Sequence, residues 1–330
     1  MTLTELAITA DRLLIAAVAP STYDSYHAAY DRYNAFCKRH NLPPSPATEN
    51  TLIPFATQLS RSHAHSSIKV HLSAISYYSV IRGDKVDFSR FRRLYYLMKG
   101  IKRTQGASRR RRKRAPITPA ILKEININLF NSSRPYEDKV MLWAALLTAF
   151  YGFLRVSEYT SQRKTSFDPE STLLFTDMTF KTDGSVSLFI KKSKTDPFRE
   201  GVLLRIAKNR SSLCPVNALR HLENIHPSKS GPLFTFANGR YLSRRDVNKV
   251  LVESTNGRVS ISSHSLRIGA ASTAAAAGCP KWLIQALGRW SSDCFRCYIR
   301  IPKKTIDETS KRLSKCTATD VNSFDPDILF

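Results

Sequence analysis

Acidic residues are scarce in this chain of 330 residues. Only 26 Asp and Glu stand against 51 Lys and Arg, so the formal net charge at pH 7 is +25 and the isoelectric point is near 10.1. Such an excess of one sign opposes compaction through self-repulsion and attracts polyanions. The balance favours a partner such as DNA, RNA or an anionic membrane surface.

Long apolar runs are also missing. No stretch approaches the roughly 18 apolar residues that a membrane-spanning helix requires. The apolar run from Leu13 to Ala19 is short and follows Asp11 without a basic leader, so we expect no signal peptide. A hydrophobic fraction of 42 % is ordinary for a globular chain of this length. We therefore expect a soluble intracellular protein of two domains that faces nucleic acid.

Cysteines number only six and are scattered along the chain. That is too few for a disulfide framework in a chain of this length. Cys294 and Cys297 form a single CxxC pair, and no second pair of ligands stands at a spacing that would complete a zinc site. We expect reduced cysteines and no structural metal.

The first hundred residues are predicted to be helical. Helices are expected around 49–60, 66–82 and 90–100, and the proline-rich segment 42–46 ends the helix before them. That earlier helix carries an aromatic stripe at three- and four-residue steps, which is far more typical of core packing than of a cofactor site. The stripe consists of Tyr23, Tyr26, Tyr30, Tyr33 and Phe36.

Basic charge concentrates between Arg61 and Arg114. This segment of 54 residues holds 16 Lys and Arg against two acids, a net charge of +14, which favours a DNA-facing surface. Six adjacent cations at its end repel one another and predict an exposed linker that could lie along phosphates, act as a nuclear localisation signal, or do both. They are Arg109, Arg110, Arg111, Arg112, Lys113 and Arg114.

We predict four parts along the chain. They are a helical domain at 1–104, this linker at 105–115, a second domain at 116–302 and a C-terminal segment at 303–330. In the second domain an apolar helix is predicted at 137–151. Alternating apolar residues then predict short strands at 173–175, 178–181, 186–191 and 202–206, with a hairpin turn at Asp183-Gly184. Helix returns from about residue 214. The expected fold class is mainly α with a small antiparallel sheet (α+β).

Two motifs of the second domain place charged groups at turns. In the first, residues 152–158, Arg155 opens a helix and Glu158 follows three residues later, where its carboxylate can orient the cation. The second, residues 190–196, is a basic turn between strands that contains Lys194. Alone, each motif would be interpreted as a surface ion pair or a solvated loop.

Two further motifs are more specific. His264 and Arg267 stand one helical turn apart, so both side chains can face one point in space. A Gly-Arg-Trp turn at 288–290 then precedes Tyr298. A lone tyrosine is usually a packing residue, but a tyrosine that follows these motifs in a basic protein indicates chemistry.

These side chains meet the needs of phosphodiester exchange. Arginine forks bind the non-bridging oxygens of a phosphorane-like transition state, and a phenol can attack phosphorus in line. A lysine ammonium can protonate the leaving 5′-oxygen, and a histidine can shuttle protons on the attacking side. The set that supplies these functions without a metal or cofactor is Arg155, Lys194, His264, Arg267 and Tyr298.

The order Arg, Lys on a β-turn, HxxR, Gly-Arg-Trp and Tyr resembles the tyrosine recombinase (phage-integrase-like) family over about residues 116–302. The stretches HSLRIGAAST and LGRWSSDCFRCYIR look especially like recombinases of eukaryotic DIRS/Ngaro-type and crypton mobile elements. The resemblance implies a helical core-binding domain and a catalytic domain that form a C-shaped clamp on double-stranded DNA. It also implies a tetramer on DNA and a monomer or dimer without it. The basic run at 109–114 predicts a nuclear location if the source is eukaryotic, and otherwise the cytoplasm or nucleoid.

The resemblance also implies roles for single residues. Arg155 and Arg267 would hold the scissile phosphate, and His264 would position it and handle protons. Tyr298 would form a 3′-phosphotyrosyl bond, and Glu158 would brace the pocket.

Two assignments stay open. Lys194 would protonate the leaving 5′-hydroxyl, but Lys191 and Lys192 are rivals within the same turn. The family carries a His or Trp after the glycine, usually nine residues before the tyrosine. Here Arg289 stands nine residues before Tyr298 and Trp290 stands eight before it. Trp290 is the favoured occupant, because Trp is known at that position, and Arg289 is the alternative.

Three functions remain possible at this stage. The first is an active enzyme of DNA recombination or integration for a mobile element. The second is a DNA-binding protein derived from such an element that has lost its chemistry, and the third is a type IB topoisomerase-like enzyme that relaxes DNA. The segment 303–330 either docks on a neighbouring protomer or is a frayed terminus.

Overall fold

A computed structural model describes residues 1–106, 114–193, 196, 200–226, 229–255, 257, 260–301 and 303–314. The chain divides into two compact units, Met1–Arg111 and Arg112–Phe330. Each unit buries a hydrophobic core of its own.

The first unit is helical, as predicted. Its helices are α1 (Leu3–Ala16), α2 (Pro20–Arg39), α3 (Glu49–Ser60), α4 (His65–Ile81) and α5 (Arg92–Gln105), with a 3₁₀ turn at Phe88–Arg90. Helix α2 packs on α4 and α3 packs on α5. The aromatic stripe serves the core, where Tyr33 is fully buried and its hydroxyl is hydrogen bonded to Thr51 Oγ1 at 2.9 Å. In contrast, α1 has no buried residue.

The second unit builds its core around one helix. That helix, α7, is buried continuously from Val140 to Phe150, as expected for a helix that is apolar on all sides. The helices of this unit are α6 (Pro119–Phe130), α7 (Tyr136–Tyr151), α8 (Val156–Tyr159), α9 (Pro215–Ile225), α10 (Arg244–Ser254), α11 (Ser263–Ala276), α12 (Lys281–Leu287) and α13 (Lys303–Leu313), with 3₁₀ turns at Phe175–Asp177 and Asp293–Cys297.

The sheet has three antiparallel strands in the order β1 (Met178–Phe180), β2 (Val186–Ile190) and β3 (Val202–Ile206). Val186 on the central strand pairs with Phe180 on one side and Ile206 on the other. At the predicted Asp183-Gly184 hairpin, Gly184 has a φ of +81°, which a glycine adopts without steric cost. The expected fold class, mainly α with a small antiparallel sheet, is confirmed.

The strand predicted at 173–175 is wrong. Leu174 makes only an isolated bridge to Pro232, and the chain then enters the 3₁₀ turn. The carboxylate of Asp177 accepts a hydrogen bond from the Leu174 N–H at 2.7 Å and turns the backbone away from strand pairing. Leu173 and Phe175 are buried and Leu174 between them is less so. The alternating pattern therefore reflects burial and does not indicate strand pairing here.

Helix α6 was not predicted, although its first turn carries a recognisable start signal. Thr118 precedes Pro119, and the Thr118 hydroxyl accepts a weak hydrogen bond from the Ile121 N–H at 3.4 Å. An N-cap threonine followed by proline is a standard way to begin a helix.

Helix α11, which carries His264 and Arg267, is fixed by a close backbone approach. The Ile117 N–H donates to the Ser265 carbonyl at 3.0 Å. A Cβ atom at Gly269 would lie 1.8 Å from the Ile117 carbonyl oxygen, so only glycine allows this contact. The small-residue run of α11 therefore begins where an extended segment lies directly on the helix.

Candidate active site

The turn between α7 and α8 supplies the first charged pair. Arg155 is the N-cap of α8, and its backbone N–H donates to Glu158 Oε2 at 2.9 Å. Its guanidinium Nη1 donates to Glu158 Oε1 at 3.0 Å. The Glu158 side chain is 1 % exposed and that of Arg155 is 17 % exposed, so the carboxylate is enclosed while the guanidinium keeps a path to solvent.

Arg267 lies at the centre of the site and is 0 % exposed. Its two terminal nitrogens donate to the carbonyl oxygens of Phe153 and Gly288. The guanidinium carbon lies 4.4 Å from the ring centroid of Trp290, a cation–π arrangement. Burial, together with the charge of Arg155, lowers the pKa of Arg267 to about 10. Its Nε has no hydrogen-bond partner among the described residues.

Arg289 lies on the opposite side of the Glu158 carboxylate. Its Nη2 donates to Glu158 Oε2 at 2.7 Å and its Nη1 donates to the Gly152 carbonyl at 3.1 Å. Burial lowers the pKa of Arg289, while the charge of Glu158 opposes that shift. One buried carboxylate thus holds two guanidinium groups.

Trp290 lies against the tyrosine. The ring centroids of Trp290 and Tyr298 are 5.0 Å apart, and Trp290 is 5 % exposed. Its indole Nε1 is buried without a hydrogen-bond partner in the described part of the chain. A Cβ at Gly288 would lie 1.7 Å from this ring, so the glycine makes room for it. Of the two residues left open by the sequence, Trp290 contacts Tyr298 and Arg289 contacts Glu158.

His264 and Tyr298 face each other with ring centroids 5.1 Å apart. Tyr298 follows the Asp293–Cys297 turn, and its carbonyl accepts a hydrogen bond from Ser272 Oγ of α11 at 3.1 Å. Burial lowers the pKa of His264 to about 4, and four cations add to that effect, so the imidazole is neutral at pH 7. These cations are Arg114, Arg267, Arg155 and Arg244.

The basic turn between β2 and β3 is described only in part. Lys194 lies outside the described residues, as do residues 109–113 of the basic run. Lys191 Nζ is engaged, because it donates to Asp177 Oδ2 at 2.9 Å and to the Pro169 carbonyl at 3.0 Å. That occupied position does not favour Lys191 as a mobile proton donor. Lys192 is partly exposed.

Sequence reasoning missed Ser272 and the carbonyl groups of the α7–α8 turn. Ser272 Oγ accepts from the Arg300 N–H at 3.0 Å as well as donating to Tyr298, so it anchors the tyrosine segment on α11. A signal was present, since Ser272 lies eight residues after His264 on the same helix face. The Phe153 carbonyl left no side-chain signal.

The site as a whole carries surplus positive charge. Three guanidinium groups, those of Arg155, Arg267 and Arg289, surround the carboxylate of Glu158, which leaves a formal charge of +2. Within the described ranges, no group of three His, Cys, Asp or Glu residues is arranged to hold a metal ion. An enclosed cluster of this kind favours an anionic ligand, and bidentate donors suit the oxygens of a phosphate.

Comparison with solved structures identifies the fold. The XerH site-specific recombinase bound to palindromic difH substrate, in a post-cleavage complex, is 14 % identical with a TM-score of 0.61, over 89 % of this chain and 80 % of that one. The Tn1549 transposon integrase in complex with transposon right end DNA is 14 % identical with a TM-score of 0.58, over 90 % of this chain and 95 % of that one. A lambda integrase dimer bound to a COC' core site is 14 % identical with a TM-score of 0.54, over 91 % of this chain and 77 % of that one.

No protein-family model and no curated protein sequence matches the chain. The chain has the tyrosine recombinase fold over most of its length. Among the helices of the described ranges, none is both long enough and apolar enough to cross a bilayer.

Proposed function

We propose that this protein cuts and rejoins DNA strands at specific sites, with Tyr298 as the nucleophile. The observation that carries the proposal is the surplus charge of +2 around Glu158, directly beside a tyrosine. Buried cations need a counter-charge, and a phosphodiester supplies one. The Nε–H of Arg267 and the Nε1–H of Trp290, which have no partner among the described residues, add two donors that a phosphate oxygen would satisfy.

The proposed reaction assigns one role to each side chain. Tyr298 Oη attacks the scissile phosphorus, an Oη–P bond forms, the bond from phosphorus to the 5′-oxygen breaks, and a 3′-phosphotyrosyl intermediate results. Neutral His264 takes the phenolic proton directly or through water. The leaving 5′-oxygen takes a proton from Lys194, which is assigned by its place in the sequence. A 5′-hydroxyl then reverses these steps, so the phosphodiester bond energy is conserved and ATP is not needed.

The partner in this proposal is double-stranded DNA, bound by a homo-oligomer. The net charge of +25 supports a polyanionic partner, and the matched lambda integrase is a dimer bound to DNA. The integrase from the Tn1549 transposon supports integration of a mobile element as the biological role. The basic run ending at Arg114 is assigned to phosphate contacts and, in a eukaryotic cell, to nuclear import.

A covalent-capture experiment tests this function on a random pool of target sequences. The full chain is incubated with nicked duplexes that carry randomised sequence around the nick, and protein-linked DNA is recovered under denaturing conditions and sequenced. We expect wild type to enrich a defined sequence and Tyr298→Phe to recover none. Equal recovery by the two proteins would refute the assignment of the nucleophile.

Two other outcomes distinguish related functions. Steeply salt-dependent DNA binding with no adduct on any duplex would identify a binding protein without chemistry. Adducts on unrelated sequences, together with relaxation of supercoiled plasmid by the monomer, would identify a topoisomerase-like enzyme instead of a site-specific one.

A further inference from the structure

Three hydrogen-bond acceptors of Arg289 lie in one short segment of the chain. Its Nη2 donates to Glu158 Oε2 at 2.7 Å and lies 3.4 Å from the Phe153 carbonyl oxygen, while its Nη1 donates to the Gly152 carbonyl at 3.1 Å. Two of these acceptors lie in the turn that follows α7, and the third, Glu158, lies in α8. Arg289 therefore ties the turn that carries Arg155 to the turn that precedes Tyr298.

The backbone at both ends of this connection has an unusual conformation. Phe153 has a φ of +49° and Arg289 has a φ of +53°, and neither residue is a glycine. Residues other than glycine rarely adopt this left-handed backbone conformation, and it persists where surrounding contacts hold it. Here the Phe153 carbonyl accepts hydrogen bonds from Arg267 and Arg289, so the two turns hold each other.

The Glu158 carboxylate divides its oxygens between the two arginines. Oε1 accepts from Arg155 Nη1, whereas Oε2 accepts from both the Arg155 N–H and Arg289 Nη2. Removing Arg289 would leave Arg155, among the described residues, as the group that still holds the carboxylate, through Oε1 and Oε2. The Arg155 guanidinium would then lose an acceptor whose position is fixed from outside its own turn.

Arg289 is also placed differently from a group that contacts a ligand. Its side chain is 11 % exposed and its terminal nitrogens are directed at inner acceptors, whereas Arg155 keeps a path to solvent. Burial lowers the pKa of Arg289, and the charge of Glu158 opposes that shift by stabilising the charged guanidinium.

We propose that Arg289 is a positioning residue, which fixes the Glu158 carboxylate and the α7–α8 turn so that Arg155 is aimed at the scissile phosphate. This role rests on the proposed function and assigns Arg289 no contact with DNA.

The first test is a double-mutant cycle on the rate of adduct formation. The proteins are wild type, Arg289→Gln, Glu158→Gln and the double variant, each with the captured target duplex at saturating concentration. Because displacement of a reacting group by about 1 Å can cost on the order of 100-fold, we expect each single variant to slow the step by about 10- to 100-fold. The double variant should be no slower than the slower single one, since both remove the same constraint.

Two further variants separate positioning from general stability. Arg289→Lys keeps a positive charge beside the Glu158 carboxylate, but a lysine cannot also reach the carbonyl groups. The rate of adduct formation should therefore lie between those of Arg289→Gln and wild type. Arg134→Gln is the matched control, because Arg134 forms an ion pair in the same unit with Glu253, which lies at the C-terminal end of α10. We expect it to leave the rate of adduct formation and its pH profile unchanged.

The second test needs no catalysis. Hydrogen exchange of the DNA-free protein reports on the Arg155 N–H, which is bonded to Glu158 Oε2. We expect faster exchange in the peptide that covers 152–159 for Arg289→Gln and Glu158→Gln, but not for Arg134→Gln.

The two tests fail in distinguishable ways. If wild type forms no adduct, the proposed function fails and the exchange data alone decide the role of Arg289. If wild type cleaves DNA but Arg289→Gln leaves the exchange of 152–159 unchanged, positioning is refuted. It is equally refuted if the effects of Arg289→Gln and Glu158→Gln on the rate multiply in the double variant.

Discussion

Each unit of this protein contains a cluster of polar side chains built around arginine. The two clusters differ in how the charge and the N–H donors of the arginine are satisfied. In the first unit, Arg32 Nη1 lies 3.0 Å from His63 Nε2 and 3.1 Å from His71 Nε2. Arginine has only donors, so both imidazole nitrogens accept. His71 donates through Nδ1 to the Ser67 carbonyl at 2.9 Å, and burial lowers its pKa, which keeps the ring neutral.

The second cluster is not balanced in this way. Arg155, Arg267 and Arg289 surround one carboxylate, and two buried N–H groups, those of Arg267 and Trp290, have no partner among the described residues. An arginine held by neighbouring side chains is therefore not by itself a sign of a site. The informative features are surplus charge, donors without a partner among the described residues and an adjacent tyrosine, and the second of these two clusters combines all three.

The largest contrast between the clusters should come from the central arginine. Arg267→Lys keeps a positive charge but loses the fork that bonds Phe153 and Gly288 and faces Trp290. Because loss of one preorganised donor to a transition state costs about 100- to 1,000-fold in rate, we expect adduct formation to fall by at least that factor. Single-turnover kinetics measure it, with circular dichroism as the check on folding. A rate within threefold of wild type would remove Arg267 from the site.

Glycine substitutions sharpen the contrast through packing. Gly288→Ala puts a methyl group into the Trp290 ring, which should cost about 1–3 kcal/mol and slow adduct formation, since Trp290 packs on Tyr298. Gly100→Ala in α5 of the first unit is the control, because a Cβ there meets nothing within 4 Å. It should stabilise the protein by about 0.5–1 kcal/mol. Thermal unfolding compares the two, and equal effects would mean that Gly288 is not needed for the ring position.

The lowered pKa of His264 should make the stability of the protein depend on pH. His264 has its pKa lowered to about 4, whereas an unfolded histidine titrates near 6.5. Between these values the unfolded chain binds a proton that the folded site does not, so stability should fall as pH drops from about 6.5 towards 4. Below the folded pKa, this residue causes no further loss.

Binding of DNA should change the titration of His264 but not that of His71. A phosphate beside His264 offsets the arginines that lower its pKa, so the pKa should rise, while that of His71 in the first cluster should stay where it is. Imidazole proton shifts measured by NMR with and without the target duplex check this. Movement of both histidines, or of neither, would contradict the assignment.

The smallest effect is expected at the balanced cluster. Arg32→Gln removes the charge and weakens two hydrogen bonds to imidazole, at a cost of about 1 kcal/mol in the free energy of unfolding. The single-turnover rate at saturating DNA should be unchanged, because the substitution leaves the second unit untouched. A loss of rate comparable to that of Arg267→Lys would break the distinction between the clusters.

The sequence was most informative where one periodicity decided the structure. Residues 49–60 form α3 and residues 202–206 form β3 as predicted, because local apolar spacing and turn residues agree with the fold. The strand predicted at 173–175 failed because the Asp177 side chain captured a backbone N–H, which a burial pattern does not reveal.

The candidate site was predictable as a set of side chains but not as a network. Motif order placed Arg155, Glu158, Arg267 and Tyr298 in one site, and the structure brings them together. The partner of Arg289 was not predictable, because it depends on where two turns separated by 131 positions meet. Carbonyl acceptors such as that of Phe153 carry no side-chain signature at all.

The central claim is that Tyr298 becomes covalently linked to DNA. Adducts trapped on a nicked target duplex are digested with nuclease and protease, and the remaining nucleotide is located on the peptides by mass spectrometry. The account predicts a nucleotide mass on Tyr298 in wild type and no modified peptide in Tyr298→Phe. A nucleotide on any other residue, or an adduct that persists in Tyr298→Phe, would contradict it.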